Sequence, residues 1–485
     1  MTQAGNAIAA IAALTSFFWL ADADGDELAS ALQADEVLAS SQQHFPLILQ
    51  TLAAQRVAAA RTLEAQGAFD LVFSADGFSR VGGFYDGTAI NGIAKQNLRP
   101  LGASLYAGYK LSEGTFPIYE DVNYTNNGGA VKVGMLFSLL RDRTIDDRRF
   151  AETDARLGLQ KAELEVLLTK IGVQQRALIA YWQWVASGRK LSVYENLLRL
   201  AVGRQDGLEQ QVRRGARAEI FLTENLQNIV RRQTLVTAAA RDFQVAANDL
   251  SYYYRDNEGV PVTPKAQRLP PQAPVDRIAS LAVPAEIAAS DAITRRPELA
   301  LLRTAIERER NRIALNENQI KPRLDLNMEI QDGLGSIAEG GASRDSTDTI
   351  IGFTFSVPLQ RRRQLGRLDQ SRAQLEAKQQ EQRLISDQIE IQLRNLLLEL
   401  RASSELLKLA EQDVAQSEIM RTSEVRRFES GASDFFLVNI REETAANARI
   451  KLYQAELATR VARGNYDAAT VDLGRLGIQD ESTLP

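Results

Sequence analysis

The fold of this chain is indicated first by the stretch Arg323-Leu324-Asp325-Leu326-Asn327-Met328-Glu329-Ile330. Its even positions are apolar and its odd positions are polar or charged, which is the two-residue period of a strand with one apolar and one polar face. A second alternating stretch, residues 351–358, follows a loop rich in Gly, Ser and Asp. The two stretches together predict a β-hairpin.

An earlier copy of the second strand lies in the first half of the chain. Residues 133–139 read Val-Gly-Met-Leu-Phe-Ser-Leu, and residues 351–357 read Ile-Gly-Phe-Thr-Phe-Ser-Val, so Gly, Phe and Ser recur in step. Duplicated amphipathic hairpins are unusual in soluble helical proteins. On this pattern alone, a small soluble sheet packed on helices remains the alternative.

Composition excludes several classes of function. The chain has 485 residues, a net charge of -5, no Cys and a single His, His44. An acidic chain without a basic cluster offers no surface for nucleic acid. Without Cys, and with one His, it has no basis for a Cys/His metal site, a thiol nucleophile or a disulfide framework. We therefore expect no catalytic residues, no metal and no cofactor.

The N-terminal segment resembles a secretory signal. Residues 7–20 are mostly apolar and end near the small residues Ala21-Asp22-Ala23, although no Lys or Arg precedes Arg56. A signal peptide normally begins with a positive region. Export is favoured, and an ordinary N-terminal helix is the alternative. No other apolar run reaches the ~18 residues of a membrane-spanning helix, so none is expected.

Proline divides the rest of the chain into helical stretches. Pro is absent between Ile118 and Val260 and again between Leu359 and Leu484. Apolar residues recur every seven positions within both stretches, at Leu157, Leu164, Ile171, Leu178 and Val185 and at Leu393, Leu400, Leu407 and Val414. This spacing predicts coiled-coil helices over residues 146–211 and 362–428, each about 100 Å long at ~1.5 Å per residue.

Each predicted long helix ends at a glycine. Gly215 is followed by Glu219, and Gly431 is followed by Asp434. Gly just past a helix, with an acidic residue near the start of the next helix, predicts a tight turn. Alanine-rich return helices are then expected over residues 220–252 and 435–469.

The chain therefore contains the same unit twice: helix, two strands, long helix, Gly turn and return helix. The units occupy residues 31–260 and 291–475, with a candidate signal segment at 1–30, a Pro-rich bridge at 261–290 and a tail at 476–485. Their order resembles that of the TolC-like outer-membrane efflux proteins. The resemblance rests on residues 296–299 (Arg-Pro-Glu-Leu), 321–324 (Lys-Pro-Arg-Leu) and 355–359 (Phe-Ser-Val-Pro-Leu), on the two Gly tips and, more loosely, on residues 45–47 and 69–71.

The resemblance implies a mostly α-helical chain with a membrane β-barrel portion, in which two β-hairpins per chain close a trimeric barrel above an α-helical tunnel. A closed barrel leaves no backbone group unpaired in lipid. The residues expected to face lipid are Val133, Met135, Phe137, Leu324, Leu326, Met328, Ile351, Phe353 and Phe355. The residues expected to face the lumen are Asp70, Lys132, Asp325 and Glu329.

One segment has no place in a pattern of two strands per half. Residues 86–129 include a further alternating stretch, residues 101–109. It either extends a strand or folds within an extracellular loop.

The implied function is an exit duct of a tripartite efflux pump or a type I secretion system, without enzymatic activity. Its expected place is the outer membrane of a Gram-negative bacterium, extending into the periplasm. Its partners would be two further copies, a periplasmic adaptor and an inner-membrane transporter. A periplasmic adaptor or a coiled-coil scaffold without a channel is the alternative.

The resemblance also implies a gate at the helical tip, but this chain departs from the family's pattern there. Leu437 and Ile440 stand where the family usually has aspartates, six and nine residues after the second tip glycine. A constriction would have to use Asp434, or Glu219 and Glu224, and Phe428 takes the place of a tip tyrosine. The two carboxylates Asp434 and Glu219 could equally be helix-start charges.

Overall fold

The structure is a computed structural model that describes residues 30–271, 293–337 and 345–478. Seven α-helices are defined within these ranges: α1 (Ala34–His44), α2 (Pro46–Gln66), α3 (Asp147–Arg213), α4 (Ile220–Ser251), α5 (Pro297–Ile320), α6 (Arg362–Glu429) and α7 (Phe435–Ala469). Helices α3 and α6 have 67 and 68 residues. Each is therefore about 100 Å long.

The long helices form two antiparallel hairpins that lie side by side. Helix α3 packs on α4, α6 packs on α7, and α3 also contacts α7 and α5. The heptad positions supply the buried seam, since Leu157 and Val185 are 1% exposed and Leu400 is fully buried. Apolar side chains that recur every seven residues pack between the side chains of the neighbouring helix, which explains how such long helices stay paired.

Within the described ranges, six strands form one antiparallel sheet in chain order. They are β1 (Leu71–Ser79), β2 (Thr88–Asn97), β3 (Ser104–Glu113), β4 (Ala130–Ser138), β5 (Arg323–Gly333) and β6 (Asp348–Ser356). The central pair, β4 and β5, joins the two halves of the chain. The strands stand at one end of the helical hairpins, opposite the Gly turns.

The expectation of two β-hairpins per chain is wrong, because the first half has four strands. Residues 86–129 do not lie apart from the sheet: they contain β2 and β3, which pair with each other and with β1 and β4. Two extra antiparallel strands preserve the direction of every later strand. The insertion therefore fits into the sheet without changing how β4 leads into α3.

Several sequence predictions fall partly or wholly on residues that are not described. These are the candidate signal segment, most of the Pro-rich bridge and most of the tail. Among the described helices, none has an apolar stretch long enough to cross a membrane.

Candidate channel wall and helical tip

The register gives the sheet one apolar face. Residues opposite each other in an antiparallel pair point to the same side, so Met135, Met328 and Ile351 share a face. All nine residues expected to face lipid lie on this side, which we call the apolar face. It is open in the single chain, with Phe353 78% and Phe73 72% exposed. An apolar surface of this extent requires lipid or protein to cover it.

The inserted strands continue the apolar face. Ile90 of β2 lies opposite Leu111 of β3, and Leu105 of β3 lies opposite Met135 of β4. Ile90 and Tyr109 are 59% and 45% exposed. The insertion therefore obeys the same alternation as the strands around it.

The opposite side, the polar face, carries three of the four residues expected to face the lumen. Lys132 lies opposite Gln331, and Glu329 lies opposite Gly134. Asp325 is on this side but only 3% exposed, because it accepts hydrogen bonds from Ser138 Oγ at 2.8 Å and Arg323 Nε at 2.5 Å. The fourth residue, Asp70, lies just before β1.

The polar face is less uniform at its β1 edge, where Val72 and Phe78 share it with Asp76. Elsewhere its side chains are tied together: the Tyr106 hydroxyl donates to Glu329 Oε2 at 2.6 Å. The face thus combines fixed hydrogen bonds with open charges such as Lys95.

The two outer strands of the sheet have free edges. Within the described residues, β1 pairs only with β2 and β6 pairs only with β5. Every residue of β1 is exposed, and so are eight of the nine residues of β6. An exposed edge of nine residues is a template for pairing with another strand.

The turn between β2 and β3 is fixed to the start of α3. Arg99 makes an ion pair with Glu152 at 2.7 Å, and Arg149 Nη1 donates to the Arg99 carbonyl at 3.2 Å. Gly102 has φ +58°, and a Cβ there would lie 2.2 Å from the Asp142 carbonyl oxygen. Only glycine fits so close an approach of two backbones. The insertion is therefore attached to the helices as well as to the sheet.

At the other end of the molecule, both long helices end as the glycines predict. Gly215 and Gly431 have φ of 70° and 78°. Ala216 N–H donates to the Gln211 carbonyl at 2.9 Å, and Ala432 N–H donates to the Arg427 carbonyl at 2.8 Å. These bonds, which reach five residues back along the chain, are Schellman caps, which use the left-handed conformation that glycine adopts freely.

The two predicted carboxylates near the tips differ in role. Asp434 directly precedes α7 and accepts a hydrogen bond from the Leu437 N–H at 2.8 Å, so it caps the helix. Glu219 occupies the corresponding position before α4 but makes no side-chain cap, and it is exposed. Glu224 is half-buried.

The tips of the two hairpins touch through a residue that the sequence did not single out. The Arg217 guanidinium lies 4.8 Å from the centre of the Phe428 ring and 5.4 Å from that of Phe221. Arg217 comes from the first turn and Phe428 from the end of α6. A cation over an aromatic ring in this geometry is attractive.

A buried ion cluster joins the hairpins between the tips and the sheet. Glu442 of α7 pairs with Arg204 of α3 and with Arg232 of α4, the latter at 3.2 Å. Arg232 also donates to the Leu197 carbonyl at 2.7 Å, and Arg204 donates to Asn439 at 3.2 Å. Arg232 and Glu442 are 1% and 2% exposed.

Burial lowers the pKa of Arg232 to about 10, which leaves the guanidinium charged at neutral pH. Removing one partner of a buried charge cluster leaves the other charges buried without a counter-charge. This cluster therefore resists separation of the hairpins. Sequence reasoning missed it. The structure shows that Asn225, Arg232 and Ala239, spaced by seven residues, lie on the buried side of α4, but this spacing does not identify the partners of Arg232 on other helices.

No group of three or more His, Asp or Glu side chains that could hold a metal ion exists among the residues that the structure describes.

The sequence matches no protein-family model and no curated protein. Solved structures do match it over nearly its whole length. The open state of the Neisseria gonorrhoeae MtrE outer membrane channel has a TM-score of 0.62 at 13% identity, covering 92% of this chain and 89% of that one.

Two further structures agree. The outer membrane protein VceC from Vibrio cholerae has a TM-score of 0.60 at 15% identity, covering 90% of this chain and 96% of that chain. The Campylobacter jejuni CmeC outer membrane channel has a TM-score of 0.60 at 10% identity, covering 93% and 90%. The chain has the TolC-like outer-membrane channel fold. The family resemblance stated from the sequence is confirmed at the level of the fold, whereas the two hairpins per chain that it implied are not what the sheet has.

Proposed function

We propose that this chain is the outer-membrane exit duct of a tripartite efflux pump or a type I secretion system, conducting cargo that an inner-membrane transporter drives. The observation that carries the proposal is the two-faced sheet with two free edges, standing on helical hairpins about 100 Å long. The likeness to MtrE, VceC and CmeC supports it. The duct itself needs no catalytic group.

Three copies would close the wall by pairing β6 of one chain with β1 of the next. Closure satisfies both free edges, which a single chain cannot do in lipid. With six strands from each chain the ring has eighteen strands, where the resemblance implied two hairpins per chain and hence twelve. At ~4.8 Å between strands and a tilt of about 40°, the backbone diameter is about 36 Å rather than about 24 Å.

In this arrangement the apolar face contacts lipid and the polar face lines an aqueous lumen. The helical hairpins extend into the periplasm of a Gram-negative bacterium, where a periplasmic adaptor would contact them. Asp434, Glu219, Glu224 and Phe428, with the two tip glycines, lie at the far end of this helical section. We place the gate there, with the Glu442 cluster holding the hairpins of each chain together.

A cysteine scan tests the closure directly, because the chain has no cysteine. Single cysteines along β1 and along β6 would be combined in pairs, and the protein would be oxidised after extraction in detergent. We expect covalent trimers for pairs that stand opposite each other and none for pairs displaced by one residue, because alternate residues point to opposite faces. A stable monomer with no cross-linked pair would refute the proposal.

The same preparation separates the rival functions. A periplasmic adaptor or a coiled-coil scaffold would be released from cells without detergent and would form no ion-conducting pore in a planar bilayer. A duct requires detergent and conducts.

A further inference from the structure

The connection between β3 and β4, residues 114–129, folds back over the polar face instead of extending away from the strand ends. We call it the mouth segment. Phe116 is 3% exposed, and its ring packs edge-on against Phe78 of β1 with centres 6.2 Å apart. Phe78 belongs to the polar face, because it lies two positions along from Asp76 in the same strand. The segment therefore covers the side that the proposed function assigns to the lumen.

Polar contacts fix the middle of the mouth segment to the same face. Lys110 of β3 donates through Nζ to the Val122 carbonyl at 2.6 Å and to Asn123 Oδ1 at 3.1 Å. The Ser112 N–H and hydroxyl both lie 3.1 Å from Thr125 Oγ1. Lys110 and Ser112 alternate along β3, so both point to the polar face.

The segment is also held on either side of these contacts. Glu120 makes an ion pair with Arg80, which follows β1, at 2.5 Å. The Asn127 N–H donates to the Ser336 carbonyl at 3.0 Å, and the Gly128 N–H donates to the Leu334 carbonyl at 2.8 Å. The segment thus spans from the β1 edge to the connection that follows β5. Because it has so many contacts, the mouth segment has a fixed position on the sheet.

The segment bridges the face rather than lying flat on it. A cavity of about 270 Å³ remains beneath it, lined by Asp76, Lys110 and Lys132 among others. On the segment itself, Ile118, Tyr119 and Val122 are 92%, 83% and 79% exposed. Three apolar side chains held this far from any partner are unusual for a tightly anchored segment.

We propose that the mouth segment is an inward constriction of the duct, which narrows the outer opening and presents Ile118, Tyr119 and Val122 to passing cargo. The inference rests on the proposed function, since the polar face must line a lumen. The surface that these three side chains present is mostly apolar, so the constriction favours contact with the apolar part of an amphipathic solute. The β2–β3 insertion widens the lumen, and the mouth segment, which follows β3, narrows it again.

Distances between spin labels test this placement in the assembled protein. Tyr119→Cys labels the mouth segment, and Val81→Cys is the matched control, because Val81 is 99% exposed and lies just beyond the end of β1. Each variant adds the only cysteine of its chain. Pulsed electron paramagnetic resonance would then report the distance between equivalent labels in a detergent-solubilised trimer.

A layer stacked inside the wall stands ~10 Å from it, so equivalent labels of a threefold ring approach by about 17 Å. We expect the distance for residue 119 to be shorter than that for residue 81 by this amount. Equal distances, or a longer one at 119, would overturn the constriction while leaving the duct intact. If neither label reports a neighbour, the trimer itself fails.

A second pair of variants tests the Lys110 contacts. Lys110→Met removes the donor to the Val122 carbonyl, and the distance distribution for residue 119 should broaden. Lys95→Met removes an exposed lysine from the same face and should leave the distribution unchanged. If the two variants give the same distribution, Lys110 does not hold the segment inward.

Discussion

The two halves of the chain have helices of matched length but contribute unequal numbers of strands to the one sheet. Helices α3 and α6 have 67 and 68 residues, and the return helices have 32 and 35. Where the structure describes the chain, the first half nevertheless contributes four strands and the second contributes two. The helices match in length because the two hairpins contact each other at two levels, through Arg217 and Phe428 at the tips and through the Glu442 cluster nearer the sheet. The sheet accepts a further hairpin between β1 and β4, because each added strand pairs with its neighbours.

The largest effect is expected in the second half of the chain. The double substitution Phe353→Lys and Phe355→Lys places two charges on the apolar face of β6. Charges at lipid-facing positions cost about 2 to 4 kcal/mol each near mid-depth, or about 4 to 8 kcal/mol together. We expect the protein to be lost from the outer-membrane fraction.

Thr354→Lys is the control for that double variant, because residue 354 lies between the two phenylalanines on the polar face. It should insert normally. Equal loss of both variants would mean that the two faces are not distinguished by lipid.

The next largest effect is expected at the contact between the two halves. Glu442→Gln leaves Arg204 and Arg232 without their carboxylate, and breaking a buried pair costs about 3 to 5 kcal/mol. We expect a lower unfolding temperature and a larger conductance, because the hairpins separate more easily. Glu443→Gln removes the partner of the exposed Arg231 and should change the free energy of unfolding by less than about 1 kcal/mol.

The insertion is tested by Ile90→Lys in β2. If β2 belongs to the lipid-facing wall, this single charge costs about 2 to 4 kcal/mol, as in the second half. Urea unfolding of the protein refolded in lipid would measure it. Asn91→Lys, on the polar face, is the matched control. Equal stability of the two variants would show that the insertion is not part of the wall.

The smallest effect distinguishes the two tips. Asp434→Ala removes a cap and should cost about 1 kcal/mol, whereas Glu219→Ala removes no cap bond and should cost almost nothing. Asp434→Asn keeps the cap while removing the charge, since asparagine caps as well as aspartate. If Asp434→Asn retains the ion selectivity of the pore, Asp434 is a cap and not a gate.

Local signals explain which elements could be predicted from sequence. Helix α7 spans Phe435–Ala469, the predicted range, because the Gly turn, the capping aspartate and the absence of Pro all lie within or beside it. Strand β5 could be predicted because its apolar and polar residues alternate strictly. Strand β2 did not, since Ile90 and Ile93 point to opposite faces and its Gly and Asn residues weaken the pattern.

The candidate site could be predicted only where it depends on a single element. The apolar and polar faces follow from alternation, and the tips follow from two glycines. The Glu442 cluster joins residues 238 and 210 positions apart, and no periodicity within one helix reveals such a pairing. Likewise, Lys110 holds the mouth segment through the Val122 backbone, so the identity of residue 122 gives no clue.

The β2–β3 turn lies at the end of the sheet that is next to the helices, against the start of α3. A hairpin added there is an independent module: it alters the circumference of a ring while each helix keeps its length and its direction. In a threefold assembly every such hairpin occurs three times, so the ring grows in steps of six strands. At ~4.8 Å between strands and a tilt of about 40°, each step adds about 12 Å to the backbone diameter. Exit size and periplasmic reach can then evolve separately.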